Sequence, residues 1–146
     1  MTSIISTLVG QTLLAATYDA ATFEAVFVFT AEVSLRVAAP WRIVVENEVR
    51  LGHDDHQQRF GLPSPLDARE RLAALMVNRN VASATVKPLG DLVVEMTGGP
   101  RLEVFNGSGG YEGWIFNGPK GCYLVAQGGG TVVEGVSRPA RHLKCP

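Results

Sequence analysis

Cysteine, histidine and charge are all scarce in this chain, and each scarcity excludes something. Charged residues make up 18% of 146 positions, 13 Lys and Arg against 14 Asp and Glu, with no run of either cation. A phosphate backbone is gripped by clustered cations, so nucleic acid is not an expected partner. No apolar stretch approaches the ~20 residues of a membrane-spanning helix, so no membrane partner is expected either. The start, Met1-Thr2-Ser3-Ile4-Ile5, has no positive region, and Gly10 and Gln11 interrupt its apolar stretch. This pattern predicts no secretory leader. Only two cysteines are present, Cys122 in an apolar strand-like run and Cys145 beside the C-terminus. They do not suggest a disulfide framework, and a cytoplasmic protein with reduced thiols is expected.

Apolar residues and turn formers are abundant. A chain that is 46% hydrophobic, with sixteen glycines and eight prolines, reads as one domain over 1–146 built of many short strands. Ala25-Val26-Phe27-Val28-Phe29-Thr30 echoes Leu92-Val93-Val94-Glu95-Met96-Thr97 at an offset of 67, and Ser34-Leu35-Arg36-Val37 echoes Arg101-Leu102-Glu103-Val104 at the same offset. Leu14-Ala15-Ala16 falls on Val81-Ala82-Ser83 at that spacing too, a repeat of about 8–46 and 75–116. Alternation puts Leu35, Val37 and Ala39 on one face, Leu92, Val94 and Met96 on one face, and Trp41, Ile43 and Val45 on one face opposite Arg42, Val44 and Glu46. Ala25 to Phe29 is apolar throughout and reads as a strand covered on both sides. Asn106-Gly107 and Asn117-Gly118 are hairpin signals. The expected fold is α+β and mostly antiparallel: two β-meanders forming a curved sheet, a sandwich or a barrel, with one wrap-around sheet preferred.

One helix is expected over about 65–77, between the halves. Ser64 can cap it, Pro65 suits its first position and Asp67 favours its dipole. Ala68, Leu72, Leu75 and Met76 form its apolar stripe, set to cover a sheet face, and Asp67 and Arg71 an i,i+4 pair. The segment 137–146 has no periodicity and is expected to be loosely ordered.

Candidate chemistry is sparse. His53-Asp54-Asp55-His56 is the one cluster of metal-type ligands, yet two histidines do not complete a site, and His142 lies in the tail. A solvated linker is the expectation, with a metal-dependent or small-ligand enzyme on His53 and His56 as the alternative. Ser108, in Gly107-Ser108-Gly109-Gly110, lacks the strand-to-helix turn of a serine elbow. Gly128-Gly129-Gly130 lacks the Lys-Ser/Thr of a phosphate loop. Glu95, Glu103, Glu112 and Glu134 fall on different strands, so no acid–base pair follows. No catalytic residue, cofactor or metal is expected. Tyr111-Glu112-Gly113-Trp114 combines two aromatics with a carboxylate beside a glycine-rich turn, as contact surfaces do, although Trp114 also alternates into a core position.

Four stretches together, Leu8-Val9-Gly10-Gln11, Leu75 to Val81, Tyr111-Glu112-Gly113-Trp114 and Gln127-Gly128-Gly129-Gly130, resemble a family of short bacterial proteins with a two-meander layout. The resemblance covers residues 7 to 134. Such proteins are similar to the small immunity proteins that accompany polymorphic toxins, and the resemblance implies stoichiometric binding of a cognate protein toxin without catalysis. The Asp-rich loop and the termini depart from that pattern. For a basic toxin cleft, Asp54, Asp55 and Glu112 are the expected acidic contacts, with Tyr111 and Trp114 beside them. A self-associating structural β module is the third possibility.

Overall fold

The computed structural model describes residues 2–137 and 145–146. A single helical turn, α1 (Thr2–Ile5), is followed by a 3-10 turn, Ser6–Leu8. The strands are β1 (Leu13–Asp19), β2 (Glu24–Phe29), β3 (Ser34–Val37), β4 (Trp41–Val45) and β5 (Glu48–Gly52). After α2 (Ala68–Met76) come β6 (Val81–Val86), β7 (Leu92–Met96), β8 (Arg101–Val104), β9 (Trp114–Asn117), β10 (Cys122–Ala126) and β11 (Val132–Val136). They form two antiparallel sheets, ordered β1-β2-β3-β9-β10-β11 and β5-β4-β8-β7-β6. The sheets are open, and their inward residues join one core around Phe27, Leu35, Ile43, Leu102, Trp114 and Phe116. The single wrap-around sheet is therefore replaced by two sheets.

The order of strands reveals an exchange. Each three-strand meander is completed by a hairpin from the other half: β9-β10 adds to β3, and β4-β5 adds to β8. The registers correspond. Leu35 faces Phe116 and Val37 faces Trp114 in one sheet; Leu102 faces Ile43 and Val104 faces Trp41 in the other. From Val37 to Val104 the offset is 67, whereas from Trp41 to Trp114 it is 73. Six additional residues therefore lie in the β8–β9 crossover, 105–113, relative to the β3–β4 crossover, 38–40. In the first strand pair the spacing differs from the sequence reading by one. The Leu13 N–H donates to Arg79 O and the Val81 N–H to Gln11 O, both at 2.9 Å, which equates Leu13 with Val81 at an offset of 68. A bulge follows each of these two residues, at Leu14 and Ala82.

Local conflicts with tertiary pairing explain the other departures. Ala25, Phe27 and Phe29 are buried, but Val28 is exposed, because no layer covers the outer side of β2. The helix begins at Ala68 rather than 65, since Leu66 is held extended by backbone bonds with Gln57 and Gln58. Asp67, not Ser64, is the N-cap, accepting the Arg69 N–H at 2.9 Å, and its ion pair is with Arg69 rather than Arg71. Burial opposes ionisation of Asp67, but the Arg69 and Glu70 amide bonds and the Arg69 charge outweigh it and lower its pKa. Nor does α2 lie on a sheet face. It packs on β1 and reaches β5, the edge strands of opposite sheets, and so closes one open side of the sandwich. The segment from α1 to Leu8 does the same against β6 and β10.

Neither Asn-Gly pair makes the hairpin bend. Asn106 is buried in the crossover, and the β9–β10 hairpin turns on Lys120 and Gly121, both with positive φ. The thiols are not reduced: Cys122 and Cys145 form a disulfide across 23 residues. β10 buries Cys122, and pairing ties the chain's end to that strand. Most of the predicted loose tail, with His142, lies outside the described residues. A closed loop of this size contributes roughly 3 kcal/mol. Cys145→Ser should lower the unfolding free energy by about that amount in urea denaturation, and reductant should reproduce the loss in the parent protein.

Candidate protein-docking site

The two crossovers meet at one end of the sandwich. Ala38 and Ala39 N–H both donate to Gly113 O, at 2.9 and 2.8 Å, and Phe105 N–H donates to Pro40 O at 2.9 Å. The six extra residues of the second crossover must then bulge outward, and they carry Tyr111 and Glu112. Their loop is braced from within. Ser108 Oγ accepts the Gly110 and Tyr111 N–H groups at 3.1 and 2.8 Å, and Ser108 O accepts the Gly129 N–H at 2.9 Å. Gly128 packs on the Gly110 backbone so closely that a Cβ there would stand 2.4 Å from it. Ser108 and the glycine runs thus hold a loop in place.

Asn106 anchors the base of this loop. Its N–H donates to Asp91 Oδ1, and its Nδ2 donates to Leu89 O at 2.9 Å and Gln127 O at 3.2 Å. Two carbonyl partners fix the amide's orientation, which leaves Oδ1 as the acceptor without a partner although the residue is only 6% exposed. Two grooves flank Pro40. One, of about 670 Å³, is lined by Ala38, Ala39, Gly110, Gly113, Tyr111 and Glu112 among others. The other, of about 700 Å³, runs over Trp41, His53, Lys87 and Phe105. Tyr111 is 83% and Phe105 62% exposed, two aromatics standing on the rims.

The predicted contact residues separate. Tyr111 and Glu112 lie on the groove rim, but Trp114 is 1% exposed, its Nε1 donating to Gly90 O at 2.7 Å. It is a core residue and offers no contact surface, because pairing with Val37 turns it inward. His53 reaches the second groove, while Asp54 is exposed on the loop beyond it. Asp55 is engaged: its Oδ2 accepts the Gly52 N–H at 2.7 Å, and its own N–H donates to Gly52 O. It thereby covers a stretch of the free β5 edge. His56, 8% exposed, accepts the Ala68 N–H on Nδ1 at 3.0 Å and serves α2 as a second cap. Among the described residues no three His, Cys, Asp or Glu converge. Phe105 escaped the sequence reading, and Asn106 entered it only as part of a hairpin signal. Phe105 had a signal, an aromatic at an outward position just after the alternating Leu102 and Val104.

Residues 24–134 match a family model described as a family of unknown function, DUF6188. The chain belongs to the DUF6188 family. No curated protein and no solved structure gives a significant match. In this DUF6188 protein, no helix among the described residues is long and apolar enough to cross a membrane.

Two groups below the surface have displaced ionisation. Burial, with the nearby Asp54, Asp55 and Asp19 charges, raises Tyr18 above 10.0; its hydroxyl donates to His53 O at 2.7 Å. Burial opposes the charge on Glu103, but hydrogen bonds and charge from Arg42 and Arg101 prevail and lower its pKa. Since the folded Tyr18 pKa is raised, its contribution is full below 10 and disappears as pH climbs through the folded value. Tyr18→Phe should remove the component titrating above 10 in an ultraviolet absorbance titration and flatten the alkaline loss of stability. His56→Ala, through the lost cap, should cost about 1 kcal/mol in chemical denaturation.

Proposed function

We propose that this DUF6188 protein is a non-catalytic binding module that acts stoichiometrically on a protein partner through the crossover end of its sandwich. The observation that carries this reading is Tyr111, 83% exposed on a loop braced by Ser108, Gly128 and Asn106. An exposed aromatic loses little side-chain entropy on burial, and a loop already held in place loses little more. Phe105 supplies a second anchor across the grooves. The six-residue lengthening that creates this surface has no counterpart in the first crossover, where three residues suffice for the same hydrogen bonds.

Within this class the partner is a toxin, and the chain is its immunity protein, as the resemblance of the sequence implies. An interface of standard size, about 1,200–2,000 Å², fits the reach of the two grooves and their rims. Neutralisation demands a Kd near about 1 nM. Disulfides persist in oxidising surroundings, so the Cys122–Cys145 bond favours a partner met outside a reducing cytosol.

Affinity purification of the tagged protein from its native host tests the reading. A single stoichiometric partner should be retained, harmful when produced alone and harmless when co-produced. Tyr111→Ala should weaken its binding about 30-fold, the equivalent of roughly 2 kcal/mol for an anchor residue. A protein recovered without any partner, from cells shown to make the candidate toxin, would end the proposal.

A further inference from the structure

We infer that the groove beside Tyr111 receives an arginine side chain of the protein partner, an inference that rests on the binding-module reading. The groove walls are small: Ala38, Ala39, Gly107, Gly110 and Gly113 line it, which leaves a slot for a long, slender side chain. Glu112 is the only charged residue among those lining it, and no described cation pairs with that carboxylate. Asn106, which also lines it, is more than nine-tenths buried with Oδ1 closed off beneath Gly113 and its amide nitrogen committed to two backbone carbonyls, which leaves the Glu112 carboxylate as the charged acceptor open to a partner. Tyr111 contributes an aromatic ring at the rim.

A carboxylate, with its two oxygens, and an aromatic face together match a cation that has several donors and a flat surface. Guanidinium has both properties: it stacks on an aromatic ring while donating in-plane to more than one oxygen. An ammonium, a point charge on a flexible stem, uses Glu112 but gains less from the ring. The second groove differs, since Lys87 and Arg42 line it and both Glu103 oxygens are bonded to Arg42 and Arg101. A cation is therefore directed to the Tyr111 side.

Titration of the 15N-labelled, disulfide-intact protein with N-acetyl-arginine amide, followed by amide NMR, tests the groove's chemistry. Saturable shifts should be confined to residues 106–113 and the Asn106 side-chain amide. N-acetyl-citrulline amide, neutral and nearly isosteric, should produce none. Glu112→Gln should weaken the arginine probe at least about fivefold, and Tyr111→Ala should weaken it as well; both positions are exposed, so neither change threatens the fold. Equal binding of citrulline, or an unchanged titration in Glu112→Gln, overturns the inference. In partner capture, Glu112→Arg should abolish retention. Retention lost in Tyr111→Ala but intact in Glu112→Arg overturns the arginine slot and leaves the binding module standing. Retention of no partner at all removes the reading beneath it.

Discussion

The ladders β3–β9 and β4–β8 are the constraint on which everything else rests. Each joins a meander from one half of the chain to a hairpin from the other. Neither three-strand meander could bury its apolar face alone, and the exchange supplies both the fourth and fifth strands of each sheet. Because both crossovers must pass between sheets at the same end, they are forced into contact there, through the Ala38, Ala39 and Phe105 amides. The surface proposed for docking is a consequence of that meeting.

Near-symmetry makes the exceptions informative. Trp41 and Trp114 occupy matching registers, yet only Trp114 finds an acceptor for its indole N–H, at Gly90 O; Trp41 Nε1 has none among the described residues. β10 is covered by β11, whereas the corresponding strand β5 is an edge, guarded by Asp55 at Gly52. The second crossover is longer than the first and projects exposed residues, Phe105, Tyr111 and Glu112 among them. Each departure falls where one half does something the other does not, and the longer crossover is the departure that carries exposed aromatic area and an exposed carboxylate.

Inward faces were legible in most strands that alternate; Val44, opposite Trp41 and Ile43 by alternation, is buried as well, beside a register shift between Ile43 and Val44. Leu35 and Val37, Leu92, Val94 and Met96, and Trp41 and Ile43 all point into the core. So was the strand-like run around Cys122, which is β10, Cys122–Ala126. The helix boundary was not, because Leu66 is pinned by Gln57 and Gln58 across the loop, and local capping rules see only neighbours. Trp114 could be read either as core or as surface until its pairing with Val37 and the Gly90 carbonyl placed its ring inside. The cysteine pair failed for the same reason. Its 23-residue separation carries no information that Cys145 lies beside Cys122 of β10.

By itself the sequence determined composition, strand periodicity and turn supply, and so a β-rich chain with one helix of more than a single turn. Those are local properties, set by side-chain alternation and by the backbone preferences of glycine, proline and asparagine. Tertiary structure alone decided the hairpin exchange, the disulfide, the capping work of Asp67 and His56, and the meeting of Pro40, Phe105, Asn106 and Tyr111 at one end. Those depend on which strand edges pair. An antiparallel edge offers the same N–H and C=O pattern to any partner strand, so only the packing of the whole core selects among them.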